Sequence, residues 1–177
     1  MKKNILLLLA SSCLLMTACN NEKTTNGSEK KETSMTSSES KQERNKKIIM
    51  ASMESFNKGD LDATFKDIAP AFVEYADGTM PPITNIDSLK GFIKMVKASI
   101  EGYKGENLQY YADGDHVLVH GDWEGVFKND LMGIKATGKP IRFKDVDIFK
   151  LNDEGRVVEH SSVQNLGAVL MAAGMMK

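Results

Sequence analysis

The order of periodicities along this 177-residue chain predicts an α+β domain, with N-terminal helices packed on one face of a curved antiparallel sheet. Three observations carry the prediction. Apolar residues recur at helical spacing over residues 44–58 and again over 87–100. From Leu108 onward the pattern changes to strand-like runs, broken by Asp113-Gly114 and by Asn152 to Gly155. No internal repeat divides residues 44–177, and that length is enough for one domain with its own core.

The chain opens with Lys2 and Lys3, an apolar run from Ile5 to Met16, and small residues ahead of Cys19. A charged start, a short apolar stretch and a small-residue cleavage site make an export signal. The apolar run is shorter than the roughly 20 residues a spanning helix needs. Met16-Thr17-Ala18-Cys19 resembles the lipobox of bacterial lipoproteins, with Met16 where leucine is commoner. That resemblance implies removal of residues 1–18, lipidation of Cys19, and a cell-envelope protein held to a membrane by its lipid. Asn20 follows the cysteine instead of the aspartate that retains lipoproteins at an inner membrane, which implies the outer membrane if the source is Gram-negative.

Residues 19–43 are polar and low in complexity, with Met35 the one large apolar side chain after Cys19. Such a segment buries too little surface to offset its ordering entropy and reads as a disordered tether. The domain proper is expected over 44–177. Its first helix, from Arg44 to Lys58, puts Ile49, Met53 and Phe56 on one face, and Gly59 suits the position after a helix end. Asp60 can cap a second, short helix carrying Leu61 and Phe65, which Pro70 ends. Ala71 to Tyr75 reads as a short strand before an Asp77-Gly78 turn. Asp87 precedes a helix with Leu89, Phe92, Ile93, Val96 and Ile100 on one stripe. Leu108 to Tyr111 and Val117 to Phe127 form a hairpin, 128–138 is a loop, and Ile141 to Leu151 pairs with Arg156 to Val163. Leu166 to Met175 is expected to form a terminal helix, rich in Ala and Met.

Composition excludes several classes of function. Hydrophobic content of 41% and charged content of 27% are ordinary for a globular protein. The net charge is −1, and no basic block interleaves with aromatics, so nucleic acid is not an expected partner. Both cysteines, Cys13 and Cys19, precede the domain, which leaves it without disulfide or thiolate chemistry. His116, His120 and His160 follow no metal-ligand spacing, and neither metal nor cofactor is expected.

Several segments in order resemble the SnoaL-like group of the NTF2-like superfamily. Asn57-Lys58-Gly59-Asp60 is similar to its early helix junction, and Gly133 to Lys139 to its "GIPPTGK" loop. Asp147-Ile148-Phe149-Lys150 and Asp153 to His160 are similar to "DIFR...DGKIVEHW". The resemblance covers about residues 45–175 and implies a cone around an apolar cavity. Catalytic members are polyketide cyclases that close a ring by aldol chemistry, with an aspartate as acid and base and a histidine nearby. Here Asn165 stands at the acidic position, Ser161 replaces a usual tryptophan, and Trp123 replaces the histidine. Asparagine orients by hydrogen bonding and cannot act as the base.

The candidate proton carriers are therefore Asp145, Asp147 and His160. The two aspartates share a strand face with Ile141, Phe143 and Phe149. Facing inward, one becomes a buried replacement base; facing outward, both are solvated. His160 titrates near neutrality, or serves as a structural histidine at a strand end. His120 is expected on the face opposite Val117 and Val119. Trp123, Phe143, Phe149, Asn165 and Tyr75 are the candidate ligand contacts, Trp123 being either a cavity wall or a core aromatic. Tyr110 and Tyr111 offer hydroxyls or plain packing. Met171, Met175 and Met176 offer a lid, a dimer contact or a core seal. Three readings follow. In the first, the tethered domain binds a small apolar molecule. In the second, it is a cyclase, isomerase or hydrolase with an unusual pocket acid. In the third, two exposed sheet faces pair, in a homodimer or with another protein.

Overall fold

The computed structural model describes residues 29–165 and Gly167. The signal, Cys19 and most of the expected terminal helix lie outside them. Helices α1 (Glu29–Lys58), α2 (Leu61–Thr64) and α3 (Ile86–Ser99) pack on the five strands β1 (Ile68–Glu74), β2 (Ile100–Asp113), β3 (His116–Phe127), β4 (Pro140–Leu151) and β5 (Val157–Gln164). The sheet runs β1-β5-β4-β3-β2. It is mixed rather than wholly antiparallel, because β1 pairs in parallel with β5.

Helix α1 begins at Glu29, fifteen residues ahead of the expected start and inside the stretch read as a tether. Lys, Glu and Gln are good helix formers, and extending a helix from a packed turn avoids the cost of nucleation. The buried side is Asn45, Ile49, Met53 and Phe56. Gly59, at φ 82°, ends α1 as expected. Asn57 lies just before that end and acts as a surrogate strand. Its amide donates to the Gly105 carbonyl at 2.8 Å, and its carbonyl accepts from the Gly105 N–H at 2.9 Å. The expected Asp60 cap is present, its carboxylate accepting from the Ala63 N–H at 3.0 Å.

The short helix ends at Thr64, and Pro70 sits inside β1 instead of stopping a helix. An edge strand tolerates proline, because one row of its N–H groups has no ladder to join. Asn85, two residues before Asp87, caps α3 by accepting from the Ser88 N–H at 3.0 Å. Ile100 belongs to β2, not to the α3 stripe. Strand β2 is far longer than the run at 108–111 suggests. Register shifts between Glu101 and Lys104 and between Glu106 and Gln109 break its alternation, and Asn107 takes a positive φ of 54°. Bulges of this kind bend a strand and erase its period-two signature.

Strand β4 alternates without a break. Ile141, Phe143, Asp145, Asp147, Phe149 and Leu151 are all turned toward the helices. The core joins Ile141, Phe143, Phe149 and Leu151 to Ile49, Met53, Phe56, Phe72, Leu89, Val117, Val119 and Trp123.

Candidate functional site

Between the helices and the inner sheet face lies a cavity of about 170 Å³. That is close to the size, about 150 Å³, at which an engineered apolar cavity accepts benzene. Phe56 and Met53 from α1, Phe72 from β1, Leu89, Phe92 and Ile93 from α3, and Tyr103, Trp123 and Phe149 from the sheet form apolar walls. Asp145, Asp147, Glu74 and His160 line the same space, with Ser162 and Gln164. The two aspartates therefore take the inward option that their strand face left open.

The polar group is assembled by three strands. The β1–β5 register places Glu74 against His160, and β4–β5 places Phe149 against His160. The His160 ring stacks on Phe149 with centroids 4.5 Å apart. Its Nδ1 lies 2.8 and 2.7 Å from the two Glu74 oxygens, and its Nε2 lies 3.2 Å from Asp147 Oδ1. Glu74 is held in turn by the Ala76 N–H at 2.7 Å and by backbone pairing with Ile83. Burial works against a charge on His160, but the hydrogen bonds and charges of Asp147 and Glu74 outweigh it and lift the pKa to about 10. The ring is thus an imidazolium at neutral pH, donating from both nitrogens to carboxylates on either side.

Asp145 has no such partner. It is 5% exposed, and its Oδ1 is a buried acceptor without a hydrogen bond among the described residues. Burial first, and the Asp147 charge second, push its pKa up to about 7, with His160 pulling the other way. Burial, Asp147 and Asp145 also raise the Tyr103 hydroxyl well above its ordinary value. Three further buried polar atoms lack partners among the described residues: Asn45 Nδ2 in α1, and Asp147 Oδ2 and the Trp123 indole N–H in the cavity-lining residues. Trp123 sits edge-on to Phe56, with centroids 5.4 Å apart, and beside Tyr103. Gly121 lies directly across the ladder from Asp145, two residues before Trp123 on the same strand. The Leu108 side chain of β2 packs over Gly121 in the place a β3 side chain would take.

Three expected ligand contacts fall outside this space. Tyr75 is 41% exposed, and its neighbour Glu74 turns inward instead, because strand residues alternate. Phe143 is buried in the core but does not line the cavity. Asn165 is exposed beyond the end of β5, and Gln164 takes the inward place. His120 is on the outer face, as its spacing from Val119 predicts. Tyr110 packs against the core, and Tyr111 is 56% exposed. Glu74 was not a sequence candidate. Its role depends on a strand pairing across 86 residues, which no local pattern records. Among the described residues, no group of three His, Cys, Asp or Glu side chains is arranged to hold a metal ion.

Comparison with known proteins agrees with this architecture. A crystal structure of a candidate SnoaL-like polyketide cyclase from Jannaschia sp. CCS1 superposes with a TM-score of 0.67 at 20% identity, covering 77% of this chain and 96% of that one. AclR, a candidate hydroxylase from Streptomyces galilaeus, gives 0.66 at 21% identity over 77% and 88%. IdmH, a candidate polyketide cyclase from Streptomyces antibioticus, gives 0.62 at 26% identity over 73% and 98%. No curated protein matches the chain. The family model for SnoaL-like polyketide cyclases matches residues 47–172, from the middle of α1 past the end of β5. The chain belongs to the SnoaL-like polyketide cyclase family.

Proposed function

We propose that this domain takes a ring-sized small molecule into the cavity and moves a proton at it, with Asp145 as the proton carrier. The observation that carries the reading is the buried Asp145 carboxyl in the wall of a largely apolar cavity, its Oδ1 without a hydrogen-bond donor among the described residues. Its pKa of about 7 makes both protonation states available at neutral pH. In this reading the Trp123 N–H donates to a carbonyl oxygen of the substrate. Asp145 accepts a proton from the adjacent carbon, and the electron pair moves onto that oxygen. The protonated carboxyl then returns the proton at a second position. His160 spends both N–H groups on Glu74 and Asp147, so it is a positioning residue that fixes the local field. The cavity suits one ring better than the polycyclic substrates of a large cyclase.

A second reading, binding without chemistry, draws support from Asn165, which stands at the family's acidic position and is exposed. The Cys19 lipobox supports attachment to a membrane by a lipid, in the cell envelope. No helix among the described residues is long and apolar enough to cross a membrane. The exposed outer sheet face remains the surface on which a homodimer would form.

The test is native mass spectrometry of the full chain from its own host, followed by incubation of any bound molecule with the protein in deuterium oxide. Deuterium on carbon in the wild type, and none with Asp145→Asn, is the expected result. An unlabelled ligand in both proteins would leave the binding reading and end the catalytic one.

A further inference from the structure

The cavity carries a charge imbalance that its own residues do not correct. Of the four acidic residues that line the space, Asp67 pairs with Arg156 at 3.8 Å, whereas Glu74, Asp145 and Asp147 face a single cation, His160, and among the described residues no lysine or arginine lines it. The imidazolium has two N–H groups, and both are already used. Asp145 Oδ1 and Asp147 Oδ2 are left as buried acceptors without donors among the described residues. Independently of the carboxylates, the Trp123 N–H is a buried donor in the same wall without an acceptor among the described residues, in a residue only 5% exposed. Buried polar atoms of this kind are ordinarily satisfied, and three of them belong to residues that line this one cavity.

We propose that the cavity recognises a ring-bearing primary amine in its protonated form, its ammonium group donating to Asp145 and Asp147. An ammonium carries three N–H donors and the positive charge the site lacks. A neutral hydroxyl offers one donor and leaves the imbalance in place. A carboxylate or phosphate would meet three acidic groups and no cation with a free N–H. The rings of Phe56, Tyr103, Trp123 and Phe149 add polarisable walls, whose faces attract cations. The indole N–H is then available for an acceptor elsewhere on the ligand, the carbonyl of an amino ketone being one such group.

This inference names a ligand class for the cavity and rests on the reading of that cavity as a ligand site. The two are separated by titrating the full chain at pH 8 with benzylamine, benzyl alcohol and benzoate, which share a ring and differ in charge. Trp123 is the only tryptophan, so its fluorescence reports occupancy directly. Benzylamine is expected to bind at least about tenfold more tightly than benzyl alcohol, with benzoate weakest, as charge-assisted bonds are about twice as strong as neutral ones. Asp145→Asn should bring benzylamine down to the level of the alcohol. Glu101→Gln, on the exposed face, should leave it unchanged. Equal or tighter binding of benzyl alcohol overturns the amine proposal and keeps the cavity as a site. Binding of none of the three overturns both.

Discussion

Two aspartates on neighbouring strands are almost equally hidden from water, yet they titrate in opposite directions. Asp122 on β3 is 6% exposed and Asp145 on β4 is 5% exposed. Asp122 points to the outer sheet face, where Lys144, Asn107 and Arg142 close over it and hold its carboxyl far below the usual range. Those cations are themselves more than half exposed, so Asp122 is covered by its partners, not by the core. Asp145 points inward, where burial and a second carboxylate push it up to about 7. Low exposure alone therefore does not set the charge of a carboxylate; what covers it does. One face of the sheet carries its carboxylate among ion pairs in water, and the other holds carboxyl groups in a largely apolar space.

The largest expected effect comes from removing the cation of the inner face. His160→Leu leaves Glu74 and Asp147 buried and facing each other, a loss of about 3–5 kcal/mol. Urea denaturation at neutral pH reads it, and a change near zero would contradict an imidazolium at this position.

Asp145→Asn should act in the opposite sense above neutrality. The folded pKa of Asp145 is raised, so its favourable contribution is complete below about pH 4 and is lost as pH climbs through about 7. The variant should therefore be more stable than the wild type at pH 8, by on the order of a few kcal/mol, and should lose that advantage at pH 4. Parallel melting curves across this range check both the size and the sign.

Gly121→Ala probes the space beside Asp145. A Cβ there would lie 2.5 Å from Leu108 Cδ2 and 3.0 Å from the Glu106 carbonyl. Leu108 can turn, but the backbone of β2 cannot easily retreat, so overpacking should cost about 1–3 kcal/mol. A neutral result in denaturant would mean that the bulged strand yields more readily than its contacts imply.

Asp122→Asn is the smallest change. Its contribution is present above the ordinary carboxylate pKa and fades as pH falls below it, the reverse of Asp145. The effect should be minor at neutral pH and should shrink further in high salt, because the partners are exposed. A large, salt-independent loss would put Asp122 in the same class as its buried neighbour.

How much of this could be read from the chain depends on how local the signal was. The alternation from Ile141 to Phe149 is local, so it placed Asp145 and Asp147 on one face with the correct phase. Which way that face pointed required the rest of the sheet. The Asp60 cap, the Gly59 helix end and the Asp113-Gly114 turn are local and were legible. Strand β2 was largely hidden, because its two register shifts and the positive φ of Asn107 destroy any regular pattern. Glu74 was missed while Tyr75 was chosen, a one-residue error of phase in a strand only seven residues long. Its partner His160 comes from the far end of the chain, through the parallel pairing that the antiparallel expectation lacked. The family resemblance identified the scaffold, but its motif positions pointed to Asn165 and Ser161 instead of to Glu74.

The sheet is open, so it ends in two rows of peptide groups that no further strand covers, apart from Asn57 on Gly105 and Ile83 on Glu74, and in other proteins such rows invite strand-by-strand accretion. Neither row is a usable template here. At one border Pro70 removes a donor and β1 shifts register beside it. At the other, the two bulges of β2 twist the backbone out of line, and Lys104 with Glu106 sets charge along it. A neighbouring copy arriving edge-on would find an irregular, charged selvage. Molecules of this chain at high concentration thus lie side by side without knitting their sheets together.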